Sequence, residues 1–152
     1  MTIRAWRIVK TRHVAAAFTG DGARLHGGRW NAPGVPVVYT SGSQALAALE
    51  LLVHLNPPVT FSLAAIPVEF DASLIARIDR GKLPADWRAE PVPASTRALG
   101  DEWVRSGAAA VLEVPSVIIP AESNYVLNPR HPHFSQVRVG AAEAFVFDAR
   151  LA

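Results

Sequence analysis

The amino-acid sequence predicts an α+β fold in which the strands of a mixed or antiparallel sheet outnumber the helices. Segments rich in β-branched residues recur along the chain, few segments have helical spacing, and strands and helices do not alternate strictly. The chain has 152 residues, half of them apolar, so it is long enough to bury a core without disulfides or a structural metal. We therefore expect a single domain over residues 1–152.

The first part of the chain is predicted to form a strand, a short helix, a loop and a second strand. Residues 2–10 alternate loosely between apolar and polar types, as a strand does, and residues 12–18 are expected to form a short helix. Residues 20–34 contain five Gly and one Pro, so no regular structure is expected there. Long ordered loops are often functional. Residues 36–40 are predicted to form a compact strand that carries Tyr39.

The clearest helix of the sequence spans residues 43–55. The motif Ser-x-x-Gln at residues 41–44 has the form of a capping box, and Asn-Pro-Pro at residues 56–58 stops the helix. At 100° per residue, Glu50 lies about 40° from Leu46, on the side of the helix that is predicted to face the core. A carboxylate in apolar surroundings is costly without a partner or a task, so Glu50 is a candidate functional residue.

Further strands are predicted over the second half of the chain. The segments rich in β-branched and aromatic residues, bounded by turn residues, are 61–70, 109–114, 116–119, 134–139 and 143–151. Pro67 is expected to interrupt the first of these strands, because proline cannot donate a hydrogen bond to a sheet ladder. Residues 71–79 are predicted to form a turn with a short strand or helix.

One further helix is predicted between these strands. Residues 82–94 contain three prolines and are expected to form a surface connection. Residues 95–106 have helical spacing, with Ser95 or Thr96 as the N-terminal cap and Gly107 as the C-terminal stop.

The composition excludes intrinsic disorder and gives little support to membrane or nucleic-acid binding. The net charge is only +2 and half of the residues are apolar, whereas disordered chains are charged and poor in apolar residues. The longest apolar runs, such as residues 108–112, fall far below the roughly 18 residues of a membrane span. The start of the chain does not resemble a secretory signal. The absence of Cys suits a reducing compartment, and we expect a cytoplasmic protein. Of the 15 cations, 13 are Arg, but they form no basic stripe.

Arg29 is a second candidate functional residue. It lies in the motif Gly-Gly-Arg-Trp-Asn at residues 27–31. Paired glycines let a backbone approach a ligand closely, and a guanidinium is a planar, permanently charged fork that suits a phosphate. The motif fits a second interpretation equally well, in which the Arg pairs with a structural carboxylate and the Trp packs in the core.

Ser116 is a third candidate, although a lone Ser beside Pro and β-branched residues often only satisfies a backbone group. No His lies near it in the sequence and no G-x-S-x-G motif is present, so a serine hydrolase is poorly supported. The five His residues form no known metal-binding motif and the chain has no Cys, so no metal is expected.

The motifs named above occur in an order and spacing that resembles the RES domain. The matching segments are GDGAR at 20–24, GGRWN at 27–31, PGVPVVYT at 33–40, ALAALE at 45–50, VHL at 53–55, VPS at 114–116 and NYVLNPRHP at 124–132. The resemblance extends over nearly the whole chain, from about Ile3 to Phe147.

The resemblance implies a bacterial toxin of a type II toxin–antitoxin pair, with a fold related to ADP-ribosyltransferases and with NAD+ as substrate. RES-domain proteins degrade NAD+ by hydrolysis or phosphorolysis, or transfer ADP-ribose to a protein. The Arg, Glu and Ser that name the domain correspond to Arg29, Glu50 and Ser116, with Ser123 as the alternative Ser, and Tyr39 is implied as a further active-site residue. The implied partner is an Xre-type helix-turn-helix antitoxin whose C-terminal segment blocks the pocket of the toxin in a heteromeric complex.

The chemistry of these residue types agrees with the implied reaction. We expect Glu50 to stabilise an oxocarbenium-like ribose, Arg29 to clamp the pyrophosphate, Tyr39 to stack on nicotinamide or ribose and Ser116 to orient the substrate. Two other functions remain open. One is a protein ADP-ribosyltransferase with the same pocket, and the other is a non-catalytic module that only binds an antitoxin or DNA, although the sequence has no recognition helix or basic stripe.

Overall fold

A computed structural model describes residues 1–56 and 59–151, and the fold over these residues is α+β, as predicted. The strands in this part of the chain are β1 (Thr2–Lys10), β2 (Val38–Ser41), β3 (Leu63–Asp71), β4 (Ile75–Arg77), β5 (Val111–Pro115), β6 (Ser123–Leu127), β7 (Arg138–Val139) and β8 (Glu143–Phe145). The α-helices are α1 (Asp21–His26), α2 (Gln44–Leu52) and α3 (Ala94–Ser106). Short 3-10 helices form at Thr11–Ala16, Ala72–Leu74, Arg80–Lys82, Pro132–Gln136 and Ala149–Leu151.

All the strands belong to one mixed sheet with the order β4-β5-β6-β2-β1-β3-β7, and β8 pairs with β3 beside β7. The pairing of β4 with β5 is parallel and the other pairings are antiparallel. β1 pairs with β3 along its whole length, but it meets β2 at the single pair Trp6↔Ser41. The sheet therefore consists of two halves, β1/β3/β7/β8 and β2/β6/β5/β4, that are joined at a narrow seam.

Apolar packing fixes the two longer helices against this sheet. On α2, Ala47 is buried beside Ile8 of β1 and Leu63 of β3. On α3, Trp103 packs with Trp30 against β5 and β6, in the other half of the sheet. Burying one large apolar side chain stabilises a fold by roughly 1.5–3 kcal/mol, so these contacts define where each helix lies.

Pro67 does not interrupt β3. Proline has no backbone N–H to donate, but at this position no strand on that side of β3 needs one, because one partner strand has ended and the next has not begun. β8 pairs with residues 63–65 and β7 pairs with Val68 and Glu69, so Pro67 lies in the gap between these two partners. Its carbonyl still accepts a hydrogen bond from the amide of Gly140, at 2.8 Å. The prediction of an interruption was therefore wrong, while the prediction of a long strand is confirmed.

The expectation of no regular structure over residues 20–34 was also wrong, since α1 forms there. Gly20 and Gly27 flank the helix with φ of 81° and 72°, and Asp21 lies in its first turn, where a negative charge favours a helix. The glycines thus bound a short helix instead of preventing one.

The helix caps differ from those predicted. Ser43, not Ser41, caps α2, and its hydroxyl accepts a hydrogen bond from the amide of Leu46 at 3.1 Å. Ser41 stays in β2, so the expected capping box does not form. The helix ends at Leu52, and of the predicted stop Asn-Pro-Pro, residues 57 and 58 lie outside the described residues.

The start of α3 also differs from the prediction. The helix begins at Ala94 without a side-chain cap, because the hydroxyl of Ser95 donates to Asp86 and that of Thr96 donates to the Pro93 carbonyl. Gly107 ends the helix in the left-handed conformation, as predicted.

The strands of the last third were placed only in part. Residues 116–119, predicted as a strand, form a turn, and β6, which follows this turn, was not predicted. Of the strand predicted over 134–139, only Arg138–Val139 (β7) forms, because residues 134–136 belong to a 3-10 helix, and the strand predicted over 143–151 ends at Phe145. The β-branched run at 117–119 favours a strand locally, but Pro115 and Pro120 flank 116–119 and favour a turn.

Candidate active site

A cavity of about 520 Å³ opens at the seam between β1 and β2. Small-molecule sites commonly measure about 300–1,000 Å³, so its size suits a ligand of that kind. Its wall is built from β1, β2, α2, the loop between α1 and β2, and parts of residues 90–97 and 115–124. Three of the four predicted site residues line it, namely Arg29, Tyr39 and Glu50.

Glu50 lies in the last turns of α2, where its carboxylate meets two side chains from the other half of the sheet. Its Oε1 accepts hydrogen bonds from the hydroxyl of Ser116, at 2.7 Å, and from Nδ2 of Asn124, at 2.8 Å. No donor from the described residues contacts Oε2, this oxygen is not among the buried polar atoms that lack a partner, and the Glu50 side chain lines the cavity. Glu50 therefore presents one fixed and one free carboxylate oxygen.

Ser116 reaches the cavity only through Glu50. The residue is fully buried directly after β5, and its Oγ accepts hydrogen bonds from the amides of Ile118 and Ile119, both at 3.1 Å. The hydroxyl proton is thus directed to Glu50. This geometry fits a residue that positions Glu50, and it does not fit the expected direct contact between the Ser116 hydroxyl and a substrate. The alternative, Ser123, instead faces Arg80 at the surface, at 3.5 Å.

Tyr39 is held rigidly at the floor of the cavity. Its hydroxyl donates to Oδ1 of Asn31, at 2.5 Å, and accepts from the amide of Trp30, at 3.0 Å. Burial raises the pKa of this hydroxyl above its usual range, so it stays protonated at neutral pH. Gly28 lies directly on the ring, since a Cβ at that position would come within 2.6 Å of the Tyr39 oxygen.

Arg29 lines the cavity and is bound by the proline-rich connection. Its NH1 donates to the carbonyls of Trp87, at 3.0 Å, and of Ala89, at 2.9 Å, and its NH2 forms an ion pair with Glu90. The Arg29 side chain is 11% exposed and that of Glu90 is 71% exposed. In this state Arg29 pairs with a carboxylate of its own chain, as one of the two sequence interpretations predicted, and Trp30 packs in the core.

Two further cations line the same cavity and were not identified from the sequence. Arg7 of β1 donates from NH1 to the Tyr39 carbonyl, at 3.0 Å, while its Nε is buried without a partner among the described residues. Burial lowers the pKa of the Arg7 guanidinium to about 10, so it remains charged at neutral pH. Arg97 of α3 donates from Nε to the carbonyl of Gly28, at 3.1 Å. A charged residue inside an apolar strand was the signal available for Arg7, and no motif marks Arg97.

Residues 1–56 and 59–151 show no sign of a metal site or of a membrane-spanning helix. They contain no cluster of three or more His, Cys, Asp or Glu residues with the geometry to hold a metal ion. None of the helices in residues 1–56 and 59–151 is both long and apolar enough to span a membrane.

Residues 4–148 match the RES domain family. The chain is 40% identical over 149 residues to Toxin Res of Yersinia enterocolitica, an alignment that covers 96% of this chain and 97% of the relative. It is 38% identical over 157 residues to the Prs ADP-ribosylating toxin of Sphingobium sp. strain YBL2, covering 99% and 98%. It is also 37% identical to Toxin Res of Pseudomonas putida, covering 96% and 97%. The chain therefore belongs to the RES domain family.

Proposed function

We propose that this chain is the toxin of a type II toxin–antitoxin pair and that it consumes NAD+ by breaking the nicotinamide–ribose bond. The observation that carries the proposal is a carboxylate, Glu50, held at one oxygen and free at the other, in a cavity that also contains Arg7, Arg29 and Arg97. The names of the relatives, two of them toxins and one an ADP-ribosylating toxin, support it.

The proposed reaction needs a negative charge at the ribose and no strong acid. As the bond between C1′ and the pyridinium nitrogen breaks, its electron pair moves to the nitrogen and the ribose becomes an oxocarbenium-like cation. The free Oε2 of Glu50 accepts a hydrogen bond from a ribose hydroxyl and stabilises this charge. Nicotinamide leaves as a neutral molecule. The acceptor then bonds to C1′ and loses its proton.

The diphosphate of NAD+ is negatively charged, and the arginines of the cavity supply the positive charge that binds it. A guanidinium binds a phosphate through two parallel hydrogen bonds. Among the described residues, Arg29 is the one of the three cavity arginines that forms an ion pair, and its partner Glu90 is mostly exposed. Because the Glu90 carboxylate is 71% exposed, water competes for it, and we expect its pair with Arg29 to contribute only about 1 kcal/mol. The diphosphate of NAD+ therefore replaces Glu90 on Arg29, while Arg7 lies on the opposite side of the seam and retains its charge throughout.

Replacing Arg29 by Lys keeps the charge but removes the planar fork, and we expect the KM for NAD+ to rise about tenfold or more. The value of kcat should change much less, because the diphosphate does not take part in bond breaking. Steady-state NAD+ consumption by the purified variant measures both constants. Arg105→Lys, at an exposed site on α3, is the matched control. An unchanged KM in Arg29→Lys would show that Arg29 does not bind the diphosphate.

Replacing Glu90 by Gln should have the opposite effect on binding. The variant removes the carboxylate that competes for Arg29, so we expect a KM for NAD+ that is about two- to fivefold lower, in keeping with the small energy of a pair whose carboxylate is mostly exposed. Glu122→Gln, at an exposed residue that forms no ion pair with the described residues, is the control. A higher KM in Glu90→Gln would mean that Glu90 supports the bound state instead of competing with it.

The acceptor of the ADP-ribose separates two versions of this function. Transfer to water or phosphate degrades NAD+, whereas transfer to a side chain modifies a protein, and the name of the Sphingobium relative favours the second version. Lysate incubated with the chain and NAD+ labelled in its adenylate part distinguishes them. Label on a discrete protein band indicates protein modification, and label only in free ADP-ribose or its phosphate indicates degradation. If the chain is a non-catalytic binding module, the label stays in NAD+ and growth arrest does not depend on Glu50.

We further propose that the chain acts as a single domain in the cytoplasm and that its partner is an Xre-type helix-turn-helix antitoxin. The C-terminal segment of the antitoxin would enter the cavity and contact the arginines that bind the substrate. NAD+ levels in cells that express the chain with and without the neighbouring gene product test this. We expect depletion only when that product is absent, and equal depletion in both strains would contradict inhibition by the partner.

A further inference from the structure

The amide of Asn124 contacts the carboxylate that is central to the proposed function. Asn124 lies in β6, opposite Ser41 of β2 and Val114 of β5, so it occupies the middle of one half of the sheet. Its Nδ2 donates to Oε1 of Glu50 at 2.8 Å. A carboxylate only accepts hydrogen bonds, so the nitrogen of the amide must face Glu50 and the oxygen must face away.

The contact of Asn124 with Glu50 leaves the oxygen of the same amide without a hydrogen bond, which is destabilising. Oδ1 of Asn124 is buried and has no hydrogen-bond partner among the described residues. A buried acceptor without a donor is destabilising, and native proteins contain few of them. The orientation of Asn124 is thus set by its contact with Glu50, at the expense of its own oxygen.

The donors on Glu50 all fall on one side of its carboxylate. Ser116 and Asn124 both donate to Oε1, and neither contacts Oε2. Two donors on one oxygen hold the plane of the carboxylate and leave the other oxygen free. The charged or titratable side chains that also line this cavity are Arg7, Arg29, Tyr39, His54, Glu90 and Arg97, and none of them forms a hydrogen bond or ion pair with Glu50 in the described structure.

We propose that Asn124 is a positioning residue, which together with Ser116 fixes Oε1 of Glu50 and aims Oε2 at the ribose of the substrate. This inference rests on the proposed NAD+ cleavage and adds a residue to it. Asn124 acts through Glu50, so its loss lowers kcat and leaves the KM for NAD+ nearly unchanged.

The test is the replacement of Asn124 by Asp, which keeps the shape of the side chain and changes its donor into a second carboxylate. At low pH the introduced carboxyl and Glu50 share one proton, and this proton restores a donor to Oε1. At high pH both groups are ionised, repel each other and leave Oε1 without that donor. We expect kcat of Asn124→Asp to fall roughly ten- to a hundredfold below wild type at pH 8.5 and to approach wild type near pH 5.

Two further variants isolate the role of the donor. Asn124→Ala lacks a donor at every pH, so its kcat should be lowered about equally at pH 5 and pH 8.5, with KM within about threefold of wild type. Asn128→Asp is the matched control, because Asn128 is also buried, directly follows β6 and accepts its hydrogen bond from the amide of Arg130. Its kcat should follow the wild-type pH profile.

The outcomes separate this inference from the function on which it rests. Wild-type chain that leaves NAD+ intact would overturn both. Wild-type turnover together with a kcat of Asn124→Asp that equals wild type at both pH values would overturn only the role of Asn124. A raised KM with unchanged kcat would overturn positioning as well, because it would indicate direct contact with the substrate. Thermal unfolding of each variant shows whether it is folded at the pH of the assay.

Discussion

Replacing Glu50 by Gln is expected to reduce the rate of NAD+ consumption by about a thousandfold or more. The amide keeps the shape of the side chain, and its oxygen can still accept hydrogen bonds from Ser116 and Asn124. It removes the negative charge and places an N–H where Oε2 faces the cavity. Loss of one preorganised group that stabilises transition-state charge costs about 10²–10³ in kcat, and removal of a full charge costs at least as much.

The measurement is NAD+ turnover by purified protein together with the growth of cells that express each variant. Glu102→Gln is the matched control, since this residue is an exposed Glu on α3 whose only ion pair is with Arg105 among the described residues. It should consume NAD+ at the wild-type rate. The near-wild-type Tm expected for Glu50→Gln links the loss to chemistry. If Glu50→Gln consumed NAD+ as fast as wild type, Glu50 could not be the group that stabilises the ribose cation.

The largest expected effect on stability comes from replacing Gly100 by Ala. Gly100 lies in the middle of α3 where the helix crosses the chain at Trp30, and a Cβ there would come within 1.6 Å of the backbone oxygen of Trp30. A backbone atom cannot rotate away as a side chain can, so α3 must move. We expect the free energy of unfolding to fall by about 3 kcal/mol or more, above the usual cost of overpacking.

Gly22→Ala in α1 is the matched control for this substitution. A Cβ at Gly22 would meet no atom within 4 Å, so the variant should be as stable as wild type or more stable by up to about 1 kcal/mol, because alanine favours a helix over glycine. Denaturant unfolding of both variants measures the difference. Equal stability of Gly100→Ala and wild type would show that α3 and the loop at Trp30 are not in contact in solution.

The residues of the site were easier to predict from the sequence than their contacts. Glu50 was identified from its position on an apolar helix face, and Arg29 from the glycines that precede it. Asn124 and Arg7 were missed, because each depends on strands that are distant in the sequence. Asn124 lies on a strand that was not predicted, and nothing local shows that β6 pairs between β2 and β5. The partner of Arg29 was equally hidden, since Glu90 lies 61 residues further along the chain.

Secondary-structure elements were predicted correctly where neighbouring residues determine them, and were missed where contacts with distant residues do. β1 was predicted with its observed bounds, because alternation along one segment defines a strand. The turn after Ser116 was predicted as a strand, because its β-branched residues favour extended structure and its hydrogen bonds to the Ser116 hydroxyl are not visible in the sequence. The identity of a cap likewise depends on which Ser remains in the preceding strand, as at Ser41 and Ser43.

Helix α2 lies across the seam, so the residue proposed to act in catalysis also contributes to the fold. The underside of this helix is anchored to β1 by Ala47, and its acidic residue is anchored to β5 and β6 through Ser116 and Asn124. The carboxylate proposed to act on the substrate therefore also links two halves of the sheet that are joined at only one residue pair of their ladder. A substitution of Glu50 that also removes its hydrogen bonds to Ser116 and Asn124 would therefore loosen the contact between the two halves of the sheet, and a second stabilising contact at the same place would be needed to restore it.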